Sequence, residues 1–196
     1  RSVRRYFGSC GPLNGWGLVD GSWYWFADGI ASTGWLYTGG SWYWLDPDAG
    51  GAMATGLHSC NGSAYWFNSS GAMATGWVLD GGTWYYATGS GALASGWLNL
   101  NGAWYWLDPS THAMATGSTM QRLRDWFNAS GAMATGWVLD GGTWYYATGS
   151  GVLASGWAYV GGAWYWLDPT THAMTTGVQE IDGVQYSFAS NGVWLG

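Results

Sequence analysis

Apolar and aromatic residues in this chain fall in short runs separated by glycine-rich breaks, and the pattern repeats. In the stretch Thr75 to Trp97, TGWVLDGGTWYYATGSGALASGW, Trp77-Val78-Leu79 reads as a short apolar strand. Thr83-Trp84-Tyr85-Tyr86 reads as its return strand, β-branched and aromatic as strands prefer. Asp80-Gly81-Gly82 between them supplies residues that tolerate positive φ, which a tight hairpin turn needs. Gly89, Gly91 and Gly96 punctuate the link, and Gly96-Trp97 starts the pattern again. Self-similar segments of about 20 residues indicate a repeat architecture.

A partial unit covers residues 1–14, and full units begin at Gly15, Gly34, Gly56, Gly76, Gly96, Gly117, Gly136, Gly156 and Gly177. Turn signals stand at Asp20-Gly21, Gly39-Gly40, Asn61-Gly62, Asp80-Gly81, Asn101-Gly102, Asp140-Gly141, Gly161-Gly162 and Asp182-Gly183. The unit at Gly117 carries Gln121-Arg122 there instead. Its segment Ser118 to Trp126 has helix-friendly residues but sits in hairpin register and reads as strand. Gly71 to Gly91 is identical to Gly131 to Gly151, so a longer period groups the hairpins in threes, over 15–75, 76–135 and 136–196. The third hairpin of each group lacks the Trp after its leading Gly and carries Leu57, Ser118 or Val178. Links are of two kinds, GAMATG and a longer one with Asp46-Pro47, Asp108-Pro109 or Asp168-Pro169, where proline marks a turn. The expected fold is all-β, a solenoid of about nine short β-hairpins, roughly three per superhelical turn.

Composition narrows the function. Glycine (35) and tryptophan (19) are abundant, and 19% of residues are aromatic, too many for a disordered Gly-rich chain. A net charge of −6 with no lysine leaves no basic stripe for nucleic acid. No apolar run approaches the roughly 20 residues of a membrane span. The chain starts at Arg, so it is expected to be a mature or excised part of a longer one. Cys10 and Cys60 fit either a disulfide of a secreted protein or two unrelated loop residues, since their separation does not match the repeat.

Catalytic constellations are not expected. The aspartates occupy turns or precede proline, His112 and His172 sit in equivalent links without a second ligand at metal spacing, and Glu180 is the sole Glu. No cofactor is implied. The aromatics are the informative set. Some must pack neighbouring hairpins, but Leu, Val and Ile are scarce, and Trp and Tyr at fixed spacing can form open cages. Ring faces carry negative potential, which suits a quaternary ammonium or a sugar face.

The pattern GW…(D/N)G-x-WYY…GAMATGW resembles the choline-binding, or cell-wall-binding, repeats of Gram-positive surface proteins, with related repeats in glucan-binding proteins and toxins. The resemblance covers Gly15 to Gly196. It implies a left-handed hairpin solenoid with choline sites between consecutive hairpins. Each site takes the Trp after Gly and the first Trp of WYY from one hairpin, the middle Tyr of WYY from the next, and a nearby Met or other apolar residue. Carried onto this sequence, it gives Trp16, Trp23 and Tyr43 at the first junction, and Trp35, Trp42 and Tyr65 at the second. The fourth is Trp77, Trp84 and Tyr105. The seventh is Trp137, Trp144 and Tyr165, and the eighth Trp157, Trp164 and Tyr186. The fifth has Trp97 and Trp104, with Asp125 in place of Tyr. The third (Leu57, Ala64, Tyr85) and the sixth (Ser118, Arg124, Tyr145) are broken. The chain departs from the family in its frequent third Trp (Trp25, Trp44, Trp106, Trp166), its lack of lysine and its Asp-Pro links. The resemblance implies a secreted, non-catalytic module at the cell wall or cell surface, binding choline on teichoic acid or a similar polymer. Two rivals stay open: a glucan or carbohydrate-binding module, and a self-associating structural stalk.

Overall fold

The computed structural model describes residues 5–118 and 125–196. Among them there is no helix, and every paired strand is antiparallel. The chain divides into two compact units, Arg1–Ser95 with Pro109–Ala113, and Gly96–Asp108 with Met114–Gly196. In the first, Phe7–Gly8 pairs with Gly11–Pro12. Four hairpins follow: Gly15–Val19 with Ser22–Ala27, Gly34–Thr38 with Ser41–Asp46, Gly56–Cys60 with Ser63–Phe67, and Gly76–Asp80 with Thr83–Ala87. The second unit carries hairpin 5 (Gly96–Leu100, Ala103–Leu107), hairpin 6 (Gly117–Ser118, Trp126–Phe127) and hairpin 7 (Gly136–Asp140, Thr143–Ala147). It ends with hairpin 8 (Gly156–Val160, Ala163–Leu167) and hairpin 9 (Gly177–Ile181, Val184–Phe188). The interior of the Ser118–Trp126 segment lies outside the described residues.

Two-residue loops set the register. Val19 pairs with Ser22, leaving Asp20 and Gly21 at φ 49° and 83°, both in the left-handed region that matches strand twist. Hairpins 4 and 7 correct the sequence reading by one residue. Asp80 pairs with Thr83 and Asp140 with Thr143, so the turns are Gly81-Gly82 and Gly141-Gly142. Two glycines accept positive φ at both loop positions without a Cβ penalty, and the aspartate then stays in the strand. Asp80 there accepts a 3.4 Å hydrogen bond from the Trp66 indole.

Each hairpin contributes the return-strand residue that pairs with its leading glycine to a buried column. Phe26, Leu45, Phe67 and Ala87 in the first unit are at most 1% exposed, and Leu107, Phe127, Ala147, Leu167 and Phe188 continue the pattern in the second. The following link is riveted in two directions. Met73 bridges Phe67 of its own hairpin, and its N–H donates to the Trp42 carbonyl of the hairpin before, at 2.8 Å. Leu93, Met133, Met174 and Trp194 repeat that bond to Ala64, Trp104, Trp144 and Trp164. Consecutive hairpins are therefore tied through backbone groups that every sequence possesses.

The long links are Asx-type turns. The Asp168 carboxylate accepts from the N–H groups of Thr170 and Thr171 and from the Thr171 hydroxyl, and these bonds lower its pKa. His172 adopts φ 62° and places Nδ1 2.9 Å from the Ala154 carbonyl; His112 does the same toward Ala94 at 3.1 Å. Cys10 and Cys60 are both free thiols, one exposed and one buried, so they form no disulfide.

Candidate functional site: aromatic cages between hairpins

Strand alternation explains how one hairpin serves two sites. In hairpin 2, Trp35 and Trp42 project from one face and Tyr43 from the other, because successive side chains alternate. The Trp pair meets the next hairpin and the Tyr meets the one before. Trp35 and Trp42 are diagonal across the strands, with ring centroids 6.2 Å apart at 88°, an L-shaped pair. The same L recurs at Trp97–Trp104, Trp137–Trp144 and Trp157–Trp164, at 6.2–6.5 Å and 86–88°.

The first junction is a complete cage. Trp16 and Trp23 of hairpin 1 and Tyr43 of hairpin 2 line a cavity of about 340 Å³ with Met53, Ser69 and Ser70. Trp16 lies 4.9 Å from Tyr43 at 67°. Three successive hairpins thus build one site: the first gives two indoles, the second a phenol and a methionine, and the turn after the third gives the serine rim. A Cβ at Gly71 would collide with Met53, so the glycine of that rim turn lets the thioether pack against backbone.

At the second junction Trp35 meets Tyr65 at 4.8 Å. At the seventh Trp137 meets Tyr165 at 4.7 Å, and at the eighth Trp157 meets Tyr186 at 5.0 Å. Trp77 and Trp84 form their L within the first unit (6.2 Å, 88°), while Tyr105 belongs to the second. The fifth junction keeps Trp97, Trp104 and Met133 around a cavity of about 360 Å³, rimmed by Gly149 and Ser150. Asp125 is not among the residues lining it. It occupies the strand position of Tyr65, bridging Val152 as Tyr65 bridges Ala92, and burial raises its pKa. At the third junction Leu57 is exposed, and neither it nor Ala64 offers a ring. At the sixth, Arg124 lies outside the described residues; Tyr145 stacks on Trp126 instead, at 5.7 Å and 22°.

Burial separates two classes of tryptophan that the sequence does not distinguish. At the third position of the return strand Trp44 is 5% and Trp126 7% exposed, while Trp25, Trp106 and Trp166 are half-buried. The cage rings stay more open, with Trp23, Trp42, Trp97, Trp104 and Trp164 between 43% and 46% exposed and Trp16, Trp35 and Trp137 half-buried. Large rings left this exposed in register are the kind of surface that marks an interaction site rather than a core.

The resemblance implies a Met or other apolar residue near each site without saying which. Met53, Met73, Met133 and Met174 each follow an intact Trp pair by one hairpin, whereas Leu93 follows the broken third junction. That covariation between link and strand is the signal that marks them as cage walls. Among the described residues no group of three His, Cys, Asp or Glu gathers as a metal site. No described helix is long and apolar enough to cross a membrane.

Comparison with known proteins agrees with this geometry. A choline-binding repeat family matches residues 54–96, and a cell wall binding repeat family matches 33–48, 95–110, 135–153 and 155–170. No curated protein matches the chain. Among solved structures, choline binding protein F from Streptococcus pneumoniae is 35% identical with a TM-score of 0.74, over 89% of this chain and 61% of that one. A complex of the same protein with ipratropium is 33% identical with a TM-score of 0.71, over 89% and 63%. The choline-binding domain of CbpL from Streptococcus pneumoniae is 28% identical with a TM-score of 0.63, over 94% and 98%. The chain therefore spans under two thirds of the length of choline binding protein F and nearly all of the CbpL domain.

Proposed function

We propose, on the premise that the chain belongs to the family of choline-binding and cell-wall-binding repeats, that it is a non-catalytic anchor for choline-bearing teichoic acid or a similar surface polymer. The observation that carries this reading is the first junction, where two indoles, a phenol and a thioether surround one cavity. An ammonium head there is met by negative ring faces and needs no directional hydrogen bond, which its methyl groups cannot make. Rings worth about 0.5–2 kcal/mol each give roughly 3–5 kcal/mol per site, near millimolar for a free ligand. Several such sites on one polymer convert weak contacts into firm attachment through effective concentration. The sites proposed are the first, second, fifth, seventh and eighth junctions. The protein is placed in the secreted, wall-associated class on the same grounds.

Thermal-shift and calorimetric titrations with choline, glucose oligomers and buffer alone test the reading. Choline should stabilise the chain weakly, and choline-bearing polymer should bind far more tightly. Stabilisation by glucose oligomers and not by choline would replace the reading with a glucan-binding one; stabilisation by neither would leave a structural stalk.

A further inference from the structure

The eighth junction differs from the first, second and seventh in one wall. Trp194 stands where Met73, Met133 and Met174 stand, and its N–H makes their rivet bond, to the Trp164 carbonyl at 2.8 Å. Its indole lies 5.7 Å from Trp157 at 69° and 6.1 Å from Tyr186 at 61°. Trp157 in turn faces Trp164 at 6.2 Å and 86°, and Tyr186 at 5.0 Å and 71°. Four rings, mostly edge to face, thus replace three rings and a thioether. The added ring does not close the box. Trp157 and Trp164 remain 36% and 43% exposed, against 44% for each of Trp97 and Trp104 beside Met133.

We propose that the eighth junction is the chain's preferred site for a quaternary ammonium group, with Trp194 as its specificity-determining wall. This rests on the ammonium-binding reading above. A methionine contributes contact area and polarisability; an indole contributes those and a face of negative potential. A compact cation of methyl-group thickness can touch all four walls of such a box. A pyranose, which stacks flat on one open ring, gains nothing from a fourth wall set nearly perpendicular to the first. The substitution therefore raises affinity for the cation and selectivity against sugar together. The site would fill first as a polymer arrives, seeding occupation of the weaker cages.

Indole N–H resonances followed during titration of the whole chain with choline chloride test this. In the native chain one set of cage resonances, including Trp194, should saturate at a concentration about 2- to 30-fold below the rest, the range one added cation–π wall supplies. Trp194→Met, which installs the residue the other cages carry, should bring that site into line with them and leave the melting temperature nearly unchanged. Trp194→Phe should fall between. An unchanged affinity in Trp194→Met overturns the proposal, and a raised one shows that the indole obstructs the box. Failure of choline to shift any cage resonance would instead overturn the ammonium reading itself.

Discussion

The first and third junctions lie in the same compact unit and share one backbone plan, yet only one is a cage. At the first, Trp16, Trp23, Tyr43 and Met53 surround a cavity. At the third, Leu57, Ala64 and Leu93 stand in the places of both indoles and the thioether. The frame is nonetheless intact there: Leu93 donates to the Ala64 carbonyl at 2.8 Å, the bond that Met73 makes to Trp42. Hairpin 3 keeps its two-residue turn, with Asn61 and Gly62 at φ 51° and 83°, and Phe67 is fully buried. Backbone bonds, turn glycines and the inner column keep the repeat in place at the third junction, although cage rings elsewhere, such as Trp35 on Phe67, also pack against that column. At this junction the frame therefore stands without the rings proposed to bind ligand elsewhere.

The sharpest break of that separation is made at the frame. Phe67 is 0% exposed and packs with Trp44, Ala54 and Cys60 between the two junctions. Phe67→Ala should cost about 3–5 kcal/mol, read by denaturant melts, because it removes a large ring from a site with little room to collapse. Ligand should protect this variant less, since the cages lose their spacing. Trp23→Ala, by contrast, removes a 46%-exposed ring and should leave the melt nearly unchanged while abolishing binding at the first junction.

The converse is a graft. Leu57→Trp with Ala64→Trp places the L-shaped pair onto a frame that already carries Tyr85. Two rings at about 0.5–2 kcal/mol each should create one additional choline site, seen as a rise of one in calorimetric stoichiometry. A folded double variant with unchanged stoichiometry would show that the frame at this junction has drifted from that of the first.

Between these in kind is Cys60, a frame residue of hairpin 3. Burial, and then the negative charge of Asp46, push its thiol pKa from 9.0 up to about 11. The folded state holds this proton more tightly than the unfolded one, so the contribution to stability is whole below about pH 9 and is lost as pH rises toward 11. The slope across that window should be about 1.4 kcal/mol per pH unit. Cys60→Ala melts over the same range isolate it, because every other ionisable group is common to both proteins.

What could be read in advance follows the same division. Hairpins and their positions were legible because Asp-Gly, Asn-Gly and Gly-Gly loops need left-handed φ and announce it. The cage pairs were legible because Trp16 with Trp23, or Trp137 with Trp144, recur at fixed spacing in each repeat. The exact loop in hairpins 4 and 7 was not, since Asp80 and Gly81 are as plausible a turn as Gly81 and Gly82 until pairing with Thr83 decides it. The rim serines and the methionine walls were hidden for another reason. Ser69 and Ser70 reach the first junction from two hairpins away, a contact set by the stacking of repeats and invisible within any one of them. Trp194 lies outside the GAMATG link, so only its backbone bond to Trp164 shows that it takes the methionine's place.

The smallest effect is expected where a cage has lost a ring to a carboxylate that does not line its cavity. Asp125 holds the strand position that Tyr165 holds at the seventh junction, and burial raises its pKa, so the folded chain disfavours its ionised form. The sign is opposite to that of a salt-bridged carboxylate: its charge costs stability above the ordinary carboxylate range, and that cost is relieved as pH falls through its folded pKa. Asp125→Asn removes the charge and keeps the shape. Without ligand the variant should therefore melt slightly higher than the native chain at pH 7, and the difference should vanish in acid. With choline the order reverses at the fifth junction. A carboxylate near a cation held by Trp97 and Trp104 adds about 0.2–1 kcal/mol when partly exposed, and salt screens it. The variant should then bind choline there more weakly at low salt and almost equally at high salt, while the seventh junction is unaffected. A higher melting temperature with unchanged choline affinity at both salt concentrations would make Asp125 a purely structural liability, and the fifth junction a cage of two indoles and a thioether.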